Sequence, residues 1–583
     1  MLELVRDTVF GHFLRVLSHG NLLPYAENKD PSLWQRYVHS EKSAQMAEHG
    51  RLFEDEEKEA DKEAETEAGV PPALQHHGEG GQLPSRRSSE TPTEEGQERN
   101  FGSGAIVDPE KGKDVNVIEW FGDDDPENPY NWSSPKKVLI TAELCLLTFS
   151  VYIGSAIFSA GEMTVVEQFG VGEVPAILGL TLFVAGYGLG PMIWAPMSEI
   201  PQIGRNPVYI GTLVIFVFFQ FAVIYAKNFG MLLAFRFLTG FFGSPVLATG
   251  GASLADIYRP TQRAYAIAIW GAAAVCGPVL GPLIGGFAAE AKGWTWTIWE
   301  LMWLSGASLI LFIFFLPETS AANILYRRSR RLRRLTKNEN LKCEAEILSE
   351  EMTLKDVAVM VMIRPFVMNF TEPICFFLNL YIALIYALLY CWFESFVIVF
   401  MEMHGFSLGI EGLAYIGILL GALIVIPPFF LYLKLVQEKQ FNENGELKPE
   451  KRLPPAFVGA FCIPICLFGF GWTSRPDIPW IAPIIMSSFF TIGAFLLFNS
   501  VLNYLGDAYP AYAASVLAGN DFMRSGFGAG FPLFAGAMYR NLGVGWASSL
   551  LGFLSVAFIP IPFLLYKYGE RIRHKSKRAR HDL

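Results

Sequence analysis

From Lys137 onward the chain alternates apolar runs of about 18–25 residues with short polar connections. At 1.5 Å per residue, each run is long enough to cross the ~30 Å hydrocarbon core of a bilayer as a helix. Twelve such helices are predicted, near 137–157, 175–197, 207–226, 229–253, 264–289, 298–317, 372–400, 408–433, 455–472, 480–504, 513–538 and 545–566. One long interruption, 318–370, divides them six and six. Within it, YRRSRRLRRLTKN sets Leu325, Leu332 and Leu335 on one helical face among basic neighbours, which predicts a solvated helix lying on the inner membrane surface.

The pattern before Lys137 is different. In MLELVRDTVFGHFLRVLSHG, Leu2, Val5, Val9, Phe13 and Val16 recur at three or four, the spacing of an amphipathic helix. Charges at Glu3, Arg6, Asp7 and Arg15 interrupt its apolar positions, so it is not read as a cleavable signal peptide. Anchoring in the membrane interface and packing on the protein's own cytoplasmic face are both open to it. Residues 40–110 are rich in Glu, Gly, Ser, Pro and Thr and poor in aromatics, so they cannot offset ordering entropy by burial and are expected to be disordered. Within them Arg86-Arg87-Ser88-Ser89 fits a basophilic kinase site.

These elements predict an all-α membrane protein with twelve transmembrane helices in two six-helix halves. The chain divides into an acidic, largely disordered cytoplasmic region (1–136), a first half (137–317), a cytoplasmic central loop (318–370), a second half (371–567) and a basic cytoplasmic tail (568–583). Composition agrees. Of 583 residues 51% are hydrophobic and 17% charged, against roughly 25% charged in ordinary soluble domains. Residues 1–136 hold 28 acidic and 14 basic side chains, so the net charge of −10 belongs to that segment, and the body is slightly basic. A nucleic-acid binder, a secreted disulfide scaffold and a soluble multidomain enzyme are set aside. The seven cysteines lack the paired spacing of a zinc site or disulfide framework and are read as small packing residues.

Orientation follows from the basic residues in the connections. With the N-terminus inside, 25 Lys and Arg fall on the cytoplasmic side and four (Lys227, Lys292, Arg475, Arg540) on the other, so both termini are expected to be cytoplasmic. The sequons at Asn131 and Asn369 then face the wrong compartment for glycosylation.

Four segments carry candidate chemistry. Between spans 2 and 3 stands GPMIWAPMSEIPQIGRNP (Gly190 to Pro207), where Glu199 ends a helix, Gly204 permits a tight turn and Arg205 supplies a fixed positive charge. Span 4 contains RFLTGFFGSP (Arg236 to Pro245). An arginine so deep costs about 2.5 kcal/mol or more on insertion scales, so it faces a polar cavity or a partner, or serves as a buried hydrogen-bonding strut. At the inner end of that span Asp256 is placed to pair with Arg205 and latch a cytoplasmic gate. In span 5, Gly277, Gly281 and Gly285 repeat every four residues beside Gly286, giving a smooth face for another helix, while Pro278 and Pro282 remove backbone donors and bend the helix.

Together with the span-6 ending Leu316-Pro317-Glu318-Thr319, these segments resemble the signatures of the major facilitator superfamily. DDDPENPYNW (Asp123 to Trp132) and LAGNDFMRS (Leu517 to Ser525) are similar to the fungal twelve-span drug:proton antiporters. The resemblance covers about residues 115–570 and implies a proton-coupled antiporter of the plasma membrane. Such a carrier exports hydrophobic drugs or toxic small molecules, azoles and benzimidazoles among them, by alternating access. It implies no cofactor, protons as the coupling ion, and the Gly-Pro-rich span 5 as a mark of export. One departure is that Glu199 follows Ser198 with three more residues before the Gly-Arg than the general superfamily pattern has, which leaves the latch partners open.

The residues also speak against other classes. No G-x-x-x-x-G-K-[ST] is present for an ATP-driven pump, and no G-x-S-x-G or H-E-x-x-H for a membrane enzyme; of nine histidines only His404 lies among the spans. No metal site or nucleic-acid contact is expected. Without an ATP site uphill export draws on an ion gradient, through a carboxylate whose proton affinity depends on the side it faces. Asp256 and Glu199 are the candidates near the inner gate, with Arg236 as a positive partner moving with them; Glu394, and Asp521 with Arg524, are further candidates. For substrate, Tyr386, Tyr390 and Phe393 follow at four and three along span 7, and Phe498, Asn499 and Asn503 add to them from span 10. Aromatic faces with few polar groups suit large, flat, weakly polar molecules. Lipid-facing aromatics, a polyamine or secondary-metabolite exporter of the same fold, and a membrane channel stand as alternatives.

Overall fold

A computed structural model describes residues 5–18, 22–35, 37, 117–350 and 353–582, apart from 354, 357, 358, 444 and 445. Residues 40–110, expected to be disordered, and the Arg86–Ser89 motif lie outside these residues. Among the described residues there is no strand, only an isolated bridge between Val117 and Lys342. Among the described residues, eleven helices are long and apolar enough to cross a bilayer. In the first half they are α1 (Ser134–Ser159), α2 (Glu173–Glu199), α3 (Arg205–Ile224), α4 (Phe229–Ile257), α5 (Pro260–Lys292) and α6 (Trp294–Phe315). The second half has α7 (Pro373–Met403), α8 (Leu408–Gln440), α9 (Pro454–Thr473), α10 (Ile481–Ala508) and α12 (Val544–Arg573), with the less apolar α11 (Ala513–Gly530) between the last two.

The eleventh expected span departs from a single apolar rod. It is built as α11 (Ala513–Gly530) and, after Phe531, a shorter helix Pro532–Leu542. Pro532 has no N–H to continue the ladder, and Asn520, Asp521 and Arg524 in the first piece lower its hydropathy below that of the other eleven. Prolines open several of these helices, Pro260 at α5, Pro373 at α7 and Pro454 at α9; proline's fixed φ suits the first turn, where its missing N–H has no partner to lose.

The chain divides into two compact units. The larger contains all twelve spans. Its amphipathic N-terminal helix (Val9–Leu17) is capped by Thr8, whose hydroxyl oxygen accepts from Gly11 N at 3.1 Å. Phe10 packs on Phe314 of α6, ring centroids 4.7 Å apart, while Phe13, Val16 and Leu17 stay exposed. The helix therefore packs on the protein along one edge and offers an apolar edge outward.

The smaller unit comprises Pro24–Phe121 and Leu325–Glu344. Its core is Tyr37, Ile118, Leu332 and Leu341, with Trp34 and Phe121 around it. Glu27 sits between Arg331 (2.9 Å) and Arg328 (3.5 Å), and the Arg331 guanidinium lies 3.7 Å over the Tyr25 ring. The helix Ala321–Thr336 is thus not the lone solvated helix its pattern predicts, since Leu332 is fully buried. Its cover comes largely from Tyr37 and Ile118, more than 200 positions earlier, which the helix's own periodicity cannot reveal.

Arg330, exposed on this helix, provides a check on orientation. With the native cysteines removed, Arg330→Cys should escape an impermeant thiol reagent in intact cells and react after permeabilisation. Equal labelling before and after would reverse the topology.

Candidate functional site

Between the two halves lies a cavity of about 280 Å³, walled by α1, α2, α4 and α5 on one side and α7, α10 and α11 on the other. That is close to the lower end of small-molecule sites. Leu247, Trp270, Leu389, Phe495 and Phe498 make most of the wall apolar, and Tyr386, Asn499, Asn503 and Asn520 punctuate it. Asn499 and Asn503 each donate their amide back to the helix, to Phe495 O (2.9 Å) and Asn499 O (2.8 Å), so their side-chain oxygens keep acceptor capacity.

Of the six residues expected to bind substrate, Tyr386, Phe498, Asn499 and Asn503 line this cavity, and Tyr390 and Phe393 do not. Tyr390 is fully buried one turn beyond Tyr386. Its hydroxyl bonds those of Tyr187 (2.9 Å) and Ser155 (2.6 Å), and Tyr187 also meets the Tyr386 hydroxyl. Phe393 packs against the Tyr390 ring at 5.2 Å. Helical spacing correctly puts the three on one face, but the tyrosine cluster seals the cavity before that face ends.

On the second-half side the wall carries a buried ion pair, Asp521 with Arg524. Both are almost fully buried, and Arg524 Nε donates to Asp521 Oδ1 at 2.9 Å. Arg524 Nη2 also donates to the Tyr152 hydroxyl of α1, so the pair ties the two halves together. The guanidinium lies 5.3 Å from the Tyr386 ring and 5.8 Å from that of Phe498, and Asp521 Oδ2 accepts no hydrogen bond. Tyr152, Tyr187 and Trp270 were missed in the sequence. The available signal was a hydroxyl or indole N–H within an apolar run, which must find a partner once buried; Trp270 finds Thr148 Oγ1 at 2.7 Å.

At one end of the cavity Arg205 Nε donates to Asp256 Oδ2 (2.9 Å) and Nη1 to Ser198 Oγ (2.9 Å), with Glu199 on the adjacent wall. The sequence pairing of Arg205 with Asp256 is therefore present, but every one of these residues belongs to the first half. In this conformation the pair braces α2, α3 and α4 and does not latch one half to the other. Glu318 completes the brace, accepting from the backbone N–H of Arg205 (3.0 Å) and Asn206 (3.1 Å) at the start of α3 and of Thr319 and Ser320 in its own turn. A carboxylate there satisfies orphan donors and the helix dipole together. Gly204, at φ +80°, must lack a side chain: a Cβ would fall 2.6 Å from Glu318 Oε2.

Arg236 is elsewhere. It stands twenty residues before Asp256 on α4, about 30 Å along a helix, which corrects the expectation that it is the positive partner of Asp256 and Glu199. Fully buried, it donates to Gly179 O (2.8 Å) and Gly154 O (3.0 Å) and lies over Phe158 and Phe183 at 4.6 and 4.4 Å. That is the geometry of a strut joining α4 to α1 and α2. Near it, in the short helix Glu162–Phe169 outside the spans, Glu162 Oε1 is buried without a hydrogen-bond partner. Burial holds that carboxyl well above its usual range; Glu394 pushes it further and Arg236 opposes.

The glycines of α5 serve two contacts. A Cβ at Gly277, Gly281 or Gly285 would meet α1 at 2.7 Å, on Tyr152 Cβ, Ala156 Cβ and Ile157 O respectively. A Cβ at Gly286 would instead meet Leu408 O of α8 (2.8 Å), and one at Gly412 of α8 would meet Pro282 O (2.6 Å); Pro278 lines the cavity. At the bundle end opposite Asp256 further contacts cross the halves. Arg540 meets Glu173 of α2 (3.2 Å) and Glu402 of α7 (3.4 Å), and Glu290 of α5 accepts from Gly409 N (2.7 Å) and Ser407 Oγ (3.2 Å).

Comparison with known proteins places this geometry in a family. The sequence profile of the Major Facilitator Superfamily matches residues 144–531. The chain is 47% identical over 483 residues to Transporter mfs1 of Schizosaccharomyces pombe, covering 81% of this chain and 91% of that protein. It is 41% identical over 498 residues to Fluconazole resistance protein 1 of Saccharomyces cerevisiae (85% and 89%), and 40% over 506 residues to the Cycloheximide resistance protein of Candida maltosa (84% and 91%). Among solved structures, the proton:xylose symporter XylE superposes with a TM-score of 0.50 at 14% identity, covering 75% of this chain and 96% of that one, a likeness of fold alone. The chain belongs to the major facilitator superfamily and is a multi-pass membrane transporter, not an enzyme.

Proposed function

We propose that this transporter is a proton-coupled antiporter of the plasma membrane, with both termini cytoplasmic, that exports hydrophobic drugs or toxic small molecules by alternating access. The observation that carries the reading is the cavity itself. Both halves wall it, its surface is mostly apolar and aromatic, and it holds one buried carboxylate–arginine pair that contacts both halves. Apolar walls bind by dispersion and stacking, which tolerate changes of shape that a hydrogen-bond network rejects. The tyrosine cluster and the Arg540 and Glu290 contacts close one end, as alternating access requires of the shut side. In this reading Asp521 carries the coupling proton, Arg205 with Asp256 and Glu199 shape the inner gate, Arg236 holds α1, α2 and α4 as one body, and Gly277 to Gly286 form the packing hinge. The names of the fluconazole and cycloheximide resistance relatives favour drugs as substrates.

A second reading, export of a fungal secondary metabolite, is favoured by a 41% identical relative over 475 residues in Monascus ruber, the Citrinin biosynthesis cluster MFS transporter mrr1. A polyamine carrier fits less well. Of the four carboxylates on the wall, Asp256, Asp507 and Asp521 are each paired with an arginine (Arg205, Arg452 and Arg524), leaving little net negative charge for a polycation.

Efflux of labelled fluconazole, cycloheximide, citrinin and spermidine from a pump-deficient yeast expressing the chain tests these readings. Protonophore-sensitive efflux of the first two is expected. Citrinin alone supports the second reading, and spermidine alone, or efflux indifferent to the protonophore, overturns the proposal.

A further inference from the structure

A second cavity, of about 970 Å³, lies on the first half between α1, the start of α5 and the segment leading into α1. Its chemistry is divided along its length. One end holds Lys137, Arg259 and Gln262; the rest runs along Ala142, Leu146, Phe149 and Ile269, and no acidic side chain lines it. Phe149 lies twelve residues beyond Lys137 on α1, about 18 Å at 1.5 Å per residue, a little over half of the ~30 Å hydrocarbon core and so about the depth of one leaflet.

The polar end is short of negative charge. Lys137 is only 8% exposed, yet its ammonium donates to a single oxygen, the Tyr130 carbonyl at 3.0 Å, and lies 5.7 Å over the Tyr258 ring. An ammonium has three donors, and a buried one without a counter-charge is costly. Among the described residues no carboxylate comes within ion-pairing distance of Lys137 or Arg259. Both flanking helices also begin here, α1 at Ser134 and α5 at Pro260, and neither has a side-chain cap, so two positive dipole ends face the same place. Two cations and two helix starts at one end of an apolar channel one leaflet deep are complementary to one kind of molecule. By the basic bias of its connections, this end of the bundle lies at the cytoplasmic leaflet, where anionic lipids are concentrated.

We propose that this groove binds an anionic glycerophospholipid of the cytoplasmic leaflet, its phosphate between Lys137 and Arg259 and one acyl chain along Ala142, Leu146, Phe149 and Ile269. The lipid supplies the missing counter-charge and covers the apolar wall between α1 and α5, the pair of helices whose glycine contacts form the proposed hinge.

Full-length protein purified in a neutral detergent and mixed with phosphatidylserine or phosphatidylcholine, with lipid retention read by native mass spectrometry, tests this. Wild type should retain phosphatidylserine at least tenfold better than phosphatidylcholine. Lys137→Gln with Arg259→Gln should abolish that preference, Lys137→Arg should keep it, and Ala142→Trp, which fills the exposed channel and leaves the cations in place, should lower retention of phosphatidylserine. Thermal stability of each variant in detergent confirms that it is folded. Equal retention of the two lipids by wild type, or an unchanged preference in the double glutamine variant, overturns the site. Stabilisation by inorganic phosphate equal to that by phosphatidylserine, with Ala142→Trp without effect, overturns the lipid in favour of a free anion. None of these readouts depends on transport, so they stand apart from the proposed antiport.

Discussion

Gly281→Leu is expected to lower transport at least tenfold and to reduce the amount of mature protein. A Cβ on Gly281 falls 2.7 Å from Ala156 Cβ and 2.8 Å from the Ile157 backbone nitrogen. Backbone cannot swing aside as a side-chain tip can, so α1 and α5 must separate. Overpacking of this kind costs about 1–3 kcal/mol or more in a well-packed core. Here it also props apart the helix that carries Tyr152 and the helix that meets α8. Gly211→Leu on α3 is the control, because nothing lies within 4 Å of a Cβ there, and it should transport normally. Drug efflux at matched surface abundance is the measurement. Normal transport by Gly281→Leu would mean the close approach has no part in the cycle.

Asp521→Asn is expected to abolish uphill export while leaving downhill drug exchange in proteoliposomes. The change keeps the shape of the side chain and an oxygen for Arg524 but removes the group able to bind and release a proton. It also leaves Arg524 as an uncompensated buried charge, a loss of about 3–5 kcal/mol in comparable pairs. Abundance should therefore fall as well. Asp521→Asn with Arg524→Gln removes both charges and should recover abundance without recovering coupling. The decisive readout is drug-driven proton movement, followed by a pH dye inside the vesicles. Persistence of that signal in the single variant would show that the coupling proton rides elsewhere, with Glu162, near Arg236, and Glu394 the next groups to test.

What the chain's order of apolar and polar residues determined is the set of spans, their division by 318–370, and the local meaning of glycine and proline. Those depend on near neighbours: a run of twenty apolar residues has few options but a membrane helix, and glycines four apart on a helix share a face wherever it lies. The pairing of Arg205 with Asp256 was legible for a similar reason, since both close off adjacent helices at one end of the bundle. Tertiary structure alone decided what each face meets. It moved Tyr390 and Phe393 out of the cavity, because Tyr187 and Ser155 from other helices seal the face they share with Tyr386. It separated Arg236 from the inner carboxylates and gave it two carbonyls, and it brought Asp521 and Arg524 onto the wall beside Tyr152. It also covered Leu332 with Tyr37 and Ile118. In each case the deciding contact joins residues far apart in the chain. Periodicity records which residues share a face of one helix, and only the packing of helices sets what stands opposite.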